Sequence, residues 1–225
     1  MHRYNNYTSV LKERFGGRVQ KIIVNAGFTC PNRDGKKGWG GCTYCNNKTF
    51  TPDYCFSTKD IKRQVEKGIN FFKYKYQDQK YLVYFQSYTN TYADINTLIS
   101  LYEEALSHHL VEGLVIGTRP DCMTEELFDY FADLAKKKYL LIEYGVESTN
   151  NETLAFINRG HTYEEAVDTI KKTASRGIMT GAHLILGLPG ESKSDLLKHA
   201  ERLSALPLNV LKLHQLQLIK GTKML

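Results

Sequence analysis

Gly113-Leu114-Val115-Ile116-Gly117-Thr118-Arg119-Pro120-Asp121 sets an apolar run directly against a polar turn that carries a proline. The same change recurs at Tyr139-Leu140-Leu141-Ile142-Glu143, which leads into Tyr144-Gly145-Val146-Glu147. Runs that are apolar at consecutive positions, not alternate ones, suit strands covered on both faces, as in a parallel sheet flanked by helices. Outward from these stretches, short apolar or β-branched runs alternate with longer amphipathic ones, with no break in composition that would mark a linker. Strands are predicted over residues 19–25, 80–85, 113–117, 139–144, 179–186 and 210–216, and helices over 59–73, 94–107, 124–137, 162–176 and 192–205. Thr58, Thr124, Thr162 and Ser192 stand where N-caps belong, and Thr162 with Glu165 has capping-box spacing. The fold class is therefore α/β, one body of six βα units with parallel strands. Such units close fully, curl into an open barrel or form a flat doubly wound sheet, and each arrangement sets ligands at the C-terminal strand ends.

Those ends carry Gly27-Phe28-Thr29-Cys30, Gln86-Ser87-Tyr88-Thr89-Asn90-Thr91, the Thr118-Arg119-Pro120-Asp121 turn, Glu143 to Ser148, Gly187-Leu188-Pro189-Gly190-Glu191, and Lys212-Leu213-His214-Gln215. A polar strand-to-helix loop is ordinary. Six of them on one face point to a shared pocket.

Composition narrows the class further. Of 225 residues, 42% are hydrophobic and 24% charged, with 5 Pro, which excludes disordered, collagen-like and coiled-coil chains. Lys+Arg 30 against Asp+Glu 24 leaves +6, compatible with an anionic ligand but short of a nucleic-acid footprint on its own. Residues 1–10 show no secretory leader, and no apolar run reaches the roughly 18 residues that span a bilayer, so a cytoplasmic protein with no membrane partner is expected. In that reducing compartment, Cys30, Cys42, Cys45 and Cys55, packed into one short stretch, read as a metal or redox site rather than as disulfides, while Cys122 stands apart.

The cluster has the form Cys30-x11-Cys42-x2-Cys45, rich in glycines that let the chain turn back on itself. Two readings stand. One is a structural zinc site with Cys55 as the fourth ligand, which would make the chain a non-catalytic zinc-binding module. The other is an iron–sulfur cluster held by three thiolates, with one iron left open for a ligand.

Gly-Phe-Thr-Cys-Pro-Asn-Arg-Asp-Gly from Gly27, Gly-Gly-Cys-Thr-Tyr-Cys from Gly40, Tyr-Phe-Gln-Ser-Tyr-Thr-Asn-Thr from Tyr84, Gly-Thr-Arg-Pro-Asp-Cys from Gly117, Ile-Asn-Arg-Gly-His from Ile157 and Leu-Lys-Leu-His from Leu211 are long motifs spread over the chain. In them the sequence resembles the radical S-adenosylmethionine (radical SAM) superfamily, and within it the YhcC/YtqA-like branch. It departs from the usual Cys-x3-Cys-x2-Cys by its eleven-residue first gap. The resemblance implies a partial (β/α)6 TIM-like barrel with the 4Fe–4S loop after the first strand. It also implies a radical SAM core domain over residues 1–225, ending at Lys220-Gly221-Thr222-Lys223-Met224-Leu225 without the C-terminal extension of relatives.

By the same resemblance, Cys30, Cys42 and Cys45 hold a 4Fe–4S cluster whose open iron takes S-adenosylmethionine. Reductive cleavage of that cofactor yields a 5′-deoxyadenosyl radical that abstracts hydrogen from substrate. Gln86, Ser87 and Tyr88 fall where relatives have a Gly-rich turn that receives the methionine amino group. Glu147 falls on the ribose, Arg159 on the cofactor carboxylate, and Ile185 and Leu188 on the adenine, with Thr118 also along the cofactor. Substrate-side candidates are Asn90, Arg119, Asp121, Lys212, His214 and Gln215; for proton transfer the candidates are His183, His214 and Arg119. The implied substrate is a modified nucleobase, with a queuine lyase in queuosine salvage as the specific form and a tRNA wobble-uridine modification enzyme as the alternative. Flavodoxin or ferredoxin would be the electron donor.

Overall fold

Six strands form a single parallel sheet. A computed structural model gives the conformation of residues 4–56, 58–74, 76 and 78–225. In chain order it comprises α1 (Tyr7–Phe15), β1 (Val19–Val24), a 3-10 turn (Asn47–Phe50), α2 (Asp53–Phe56), α3 (Ile61–Lys73), β2 (Lys80–Phe85), α4 (Ile95–Leu106) and β3 (Val111–Thr118). There follow a second 3-10 turn (Pro120–Cys122), α5 (Glu125–Ala135), β4 (Tyr139–Glu147), α6 (Asn151–Phe156), α7 (Tyr163–Ser175), β5 (Met179–Leu186), α8 (Lys193–Ser204) and β6 (Val210–Gln215).

Every neighbouring pair is parallel, and spatial order equals chain order from β1 to β6. A doubly wound sheet reverses its order at a switch point, so the flat alternative is excluded. Among the described residues β1 and β6 are both edges and do not pair with each other, so the sheet curls into a partial (β/α)6 barrel.

Alternation along the strands separates two cores. On β2, Tyr81, Val83 and Phe85 point into the layer beneath the helices, whereas Leu82 and Tyr84 point into the barrel. The helical layer is the larger, because amphipathic α3, α4, α5 and α7 bury residues such as Ile61, Leu98, Phe131 and Ile170 against the sheet. The barrel interior is closed at its N-terminal end by α1, a helix that lay outside the sequence prediction. Its Leu11 is buried, the Tyr7 and Tyr139 hydroxyls lie 3.0 Å apart, and Phe15 meets Tyr139 edge-on. Only the C-terminal end is left open.

Several boundaries differ from expectation for local reasons. The cap of α3 is Asp60, which accepts from the Arg63 backbone N–H at 2.8 Å, so Thr58 is not the cap. Strand β4 runs on to Glu147 across a register irregularity beside β5. Gly113 permits the close approach of β4, since a Cβ there would lie 1.9 Å from the Tyr139 carbonyl oxygen. Among the described residues no helix is long and apolar enough to cross a membrane.

Candidate active site

The open end of the barrel leads into a cavity of about 360 Å³. All six strands reach it: Cys30 follows β1, Gln86 follows β2, Thr118 ends β3, Glu147 ends β4, Ile185 lies on β5 and Gln215 ends β6. The convergence expected of six polar strand ends is therefore what the fold builds.

Cys30, Cys42 and Cys45 line one side. Their loop is pinned from across the barrel rather than by regular structure. The Asn32 amide donates to the Asn158 and Arg159 carbonyls at 2.6 and 2.8 Å, Asn158 donates to Gly41 O at 2.9 Å, and Thr43 N–H to Ile157 O at 3.0 Å. Each sulfur faces N–H donors. Arg119 Nη1 lies 3.9 Å from Cys30 Sγ, Arg159 Nη1 3.7 Å and Asn32 Nδ2 3.9 Å from Cys42 Sγ, and Asn47 Nδ2 3.5 Å from Cys45 Sγ. Donors and buried guanidinium charge favour thiolates. Burial pushes the Cys45 thiol up while Arg33 opposes it, so full deprotonation would accompany metal binding.

Among the described residues no three His, Cys, Asp or Glu side chains close on a single point as one metal ion requires. Cys55 does not border the cavity that the other three thiols share: it is buried, its thiol donates to the Ile23 carbonyl at 3.4 Å, and burial pushes it up to about 11. Cys122 sits behind Asp121, pushed by burial up to about 12. Three thiols around a cavity, each with a sulfur-directed donor and an open side, fit a cluster with three protein ligands.

Next to the thiols, the Arg159 guanidinium is fully enclosed. It donates to Gly145 O at 2.6 and 3.2 Å and stands 3.7 Å from Glu147 Oε1. Gly145 makes room for this pair, since a Cβ would meet Glu147 Oε1 at 2.4 Å and Arg159 Nη2 at 2.6 Å. Glu147 and Tyr88 both line the cavity with left-handed backbones, at φ 70° and 64°. Non-glycine residues in that region store strain of about 1–3 kcal/mol, and such strain concentrates at functional sites. Tyr88 thus adopts a glycine-like backbone conformation without a glycine.

Four expected contacts lie behind the wall instead of on it. Ser87 is buried against Thr51 Oγ1 at 3.1 Å, bracing the segment that carries Asn47. Leu188 follows the left-handed Gly187 and packs into the helical layer. Asn90 ties two strand ends together by donating to Phe85 O at 3.1 Å and Gly117 O at 2.7 Å. Asp121 takes both arms of Arg119 at 2.8 and 2.9 Å plus Lys37 at 2.6 Å, which hold its carboxyl well below the usual range despite burial. Arg119 itself does line the cavity, and so do Gln86, Thr118, Ile185, His183, Lys212, His214 and Gln215.

Deeper in the barrel lies a polar knot that the sequence reading did not assemble. Glu143 Oε2 accepts from Tyr84 OH and His183 Nε2, each at 2.7 Å, with Lys212 Nζ at 3.7 Å and Lys21 Nζ 3.9 Å from Oε1. A lone Glu inside Tyr139-Leu140-Leu141-Ile142-Glu143 was the available signal, because a carboxylate in a buried strand requires partners. Burial would raise this carboxyl, but the His183 bond and the lysines hold it well below its ordinary 4.5. His214 is pulled from 6.5 to about 4 by burial, then by His183 and Lys212.

Both depressed values mean that the unfolded chain binds more protons, so stability is full above the unfolded values and falls as pH drops. Thermal unfolding of the apo protein should show a first loss as pH falls below 6.5, shared by part-buried His214, on the order of 1 kcal/mol after allowing for screening, and by buried His161, which burial and then Arg159 pull to about 3, and a second below 4.5 from Glu143. His214→Asn should shrink the first loss and leave the part that His161 contributes; an unchanged profile would refute the assignment to His214.

The family model described as the radical SAM superfamily matches residues 27–203. The uncharacterized protein YtqA of Bacillus subtilis strain 168 is 36% identical over 223 residues, 99% of this chain and 69% of that protein. Protein YhcC of Escherichia coli strain K12 is 36% identical over 221 residues, 98% of this chain and 70% of that protein. Among solved structures, the Elp3 protein of Methanocaldococcus infernus superposes with a TM-score of 0.66 at 19% identity, over 92% of this chain and 47% of that one.

Proposed function

The chain belongs to the radical SAM superfamily, whose members use a 4Fe–4S cluster and S-adenosylmethionine, and from that premise we propose that Cys30, Cys42 and Cys45 hold the cluster in this enzyme. The observation that carries the reading is the set of three thiols on one cavity, each with an N–H donor directed at its sulfur. When bound, the cluster supplies the electron that splits S-adenosylmethionine and so generates the 5′-deoxyadenosyl radical that takes hydrogen from substrate.

The remaining work falls to the protein. Arg159 places positive charge between Cys42 and Glu147, suited to an anionic sulfur and to the cofactor carboxylate. Glu147, held in its strained conformation, offers a carboxylate to ribose hydroxyls, and Ile185 offers an apolar surface to adenine. Gln86 and Tyr88 turn the backbone toward the cofactor amino group. Arg119, locked to Asp121, orients donors at Cys30 and does not titrate.

For the substrate we propose a modified nucleobase, in the specific form a queuine-type base that is cleaved. Polar side chains on β4, β5 and β6, Glu143, His183, Lys212 and His214, line the cavity beside the proposed cofactor contacts and suit the edge of a heterocycle rich in hydrogen-bonding groups. Anaerobic reconstitution with iron and sulfide, followed by a strong reductant and S-adenosylmethionine, should yield 5′-deoxyadenosine. A protein that instead retains tightly held zinc, with no sulfide and no 5′-deoxyadenosine, would overturn the reading.

A further inference from the structure

The polar knot below the cofactor region is unusual in its charge. Its fixed charges are Lys21, Lys212 and Glu143, since burial holds Tyr7 and Tyr84 in their neutral phenol forms and His214 is neutral at physiological pH. Two lysines against one carboxylate leave at least one positive charge in excess, whatever the state of His183. The two lysines feel each other: burial and then Lys212 pull Lys21 below its ordinary value, while Glu143 opposes them.

The two cations are placed differently. Both ammoniums lie 4.9 Å from the Tyr84 ring, but Lys21 has the Tyr7 ring as well, also at 4.9 Å, and does not line the cavity. Lys212 is half-buried and lines the cavity. Its ammonium uses one donor on Tyr84 OH at 3.1 Å and stands 3.7 Å from a Glu143 oxygen already engaged by Tyr84 and His183. An ammonium has three donors, so Lys212 keeps donor capacity toward the space above it. An excess cation half-removed from water is costly unless a partner anion arrives.

We propose that this floor binds an anionic group of the substrate, a carboxylate or a phosphate, with Lys212 as its direct ligand and His214, two residues along the same face of β6, as a further hydrogen-bonding partner. Glu143 then has a defined part: it holds His183, Tyr84 and both lysines in place while leaving the net charge positive. The ligand class is a base that carries its own anion, either a nucleoside 5′-monophosphate or a carboxylate-substituted heterocycle, entering on the β6 side where Lys212 and His214 line the cavity. The inference rests on the cavity being the active site of the proposed enzyme; because a free queuine-type base carries no anion, an anion preference would count against that specific form while leaving the radical SAM reading in place.

The test is equilibrium binding to the reconstituted enzyme with S-adenosylmethionine present, by calorimetry. The probes are matched pairs: guanosine against guanosine 5′-monophosphate for the phosphate source, and nicotinamide against nicotinate for the carboxylate. In at least one pair the anion should bind tenfold or more tightly than its neutral mate, and the preference should weaken with salt. Lys212→Met should abolish the preference, whereas Lys212→Arg, which keeps the charge, should retain part of it. Circular dichroism checks that each variant folds, and Lys212→Met still leaves Glu143 with Tyr84, His183 and Lys21. Equal binding within both pairs, a preference that survives Lys212→Met, or no binding by any anion at millimolar concentration would overturn the proposal. Cleavage of S-adenosylmethionine in the same preparations reports separately on the enzyme reading, so the two can fail independently.

Discussion

Cys42→Ala is expected to leave a folded protein that retains little iron and makes essentially no 5′-deoxyadenosine, a loss well beyond the roughly 10–100-fold produced by removing an outer hydrogen-bond partner of a metal ligand. The expectation follows from the position of this sulfur. Cys42 is buried, faces the cavity, and stands against two donors, Arg159 Nη1 at 3.7 Å and Asn32 Nδ2 at 3.9 Å. A methyl group in its place makes neither contact and offers no ligand. The apo fold should change little, because the loop is fixed by Asn32, Asn158 and Thr43 through bonds that do not involve the thiol. Cys55→Ala is the informative control. Its sulfur meets backbone groups at Ile23 and Asn25 and does not line the cavity, so this variant should lose about 1 kcal/mol of stability but keep its iron and its 5′-deoxyadenosine yield. Iron and sulfide analysis of both variants decides the matter: full loading of Cys42→Ala would remove it from the ligand set.

The contrast between Cys42 and Cys55 also shows what a sequence can and cannot reveal. Spacing alone left both a four-thiol zinc site and a three-thiol cluster open, because the direction of the Cys55 side chain is a tertiary fact. The strands were legible because consecutive apolar runs such as Gly113 to Gly117 mark a parallel sheet, and Lys80–Phe85 and Met179–Leu186 were found at their observed bounds. Helix α1 was not, since its sequence Tyr7-Thr8-Ser9-Val10-Leu11 buries one residue in the barrel end and presents no strong apolar face. Residues at strand ends were correctly placed near one cavity, but the register of each turn decides whether a side chain looks in or out. Ser87 and Tyr88 are neighbours, yet the left-handed Tyr88 borders the cavity while Ser87 braces the loop behind it. Asn90 and Asp121 went to backbone carbonyls and to Arg119, partners invisible in a linear pattern. Glu143 is the opposite case: its position was readable, but its meaning depended on Tyr84, Lys21, His183 and Lys212 from four other strands.

Arg159→Met should be the most damaging substitution away from the thiols, because it separates two requirements that the arginine meets together. Burial strongly disfavours its charge, yet Cys42, Tyr44 and Glu147 more than offset that and hold it firmly protonated. Its fork supplies two donors to Gly145 O, joined there by His161, and its other face reaches Cys42 Sγ and Glu147. Methionine fills most of the volume but leaves the mostly buried Glu147 without a counter-charge, and breaking one side of a buried pair costs about 3–5 kcal/mol. Set against the 5–15 kcal/mol typical of a domain, that is a large fraction of stability. Denaturant titration of the apo protein should show this drop, and the reconstituted protein should hold iron less tightly and bind S-adenosylmethionine more weakly. Arg159→Lys separates charge from geometry. An ammonium can balance Glu147 but cannot serve Gly145 O, Cys42 and Glu147 at once, so lysine should restore much of the stability and little of the cofactor affinity. If lysine recovered both equally, charge alone would be the requirement and the planar fork would have no part in holding the cofactor. If methionine left stability and iron retention within error of the parent, the Arg159–Glu147 pair would not be the element that joins the cysteine loop to the end of β4.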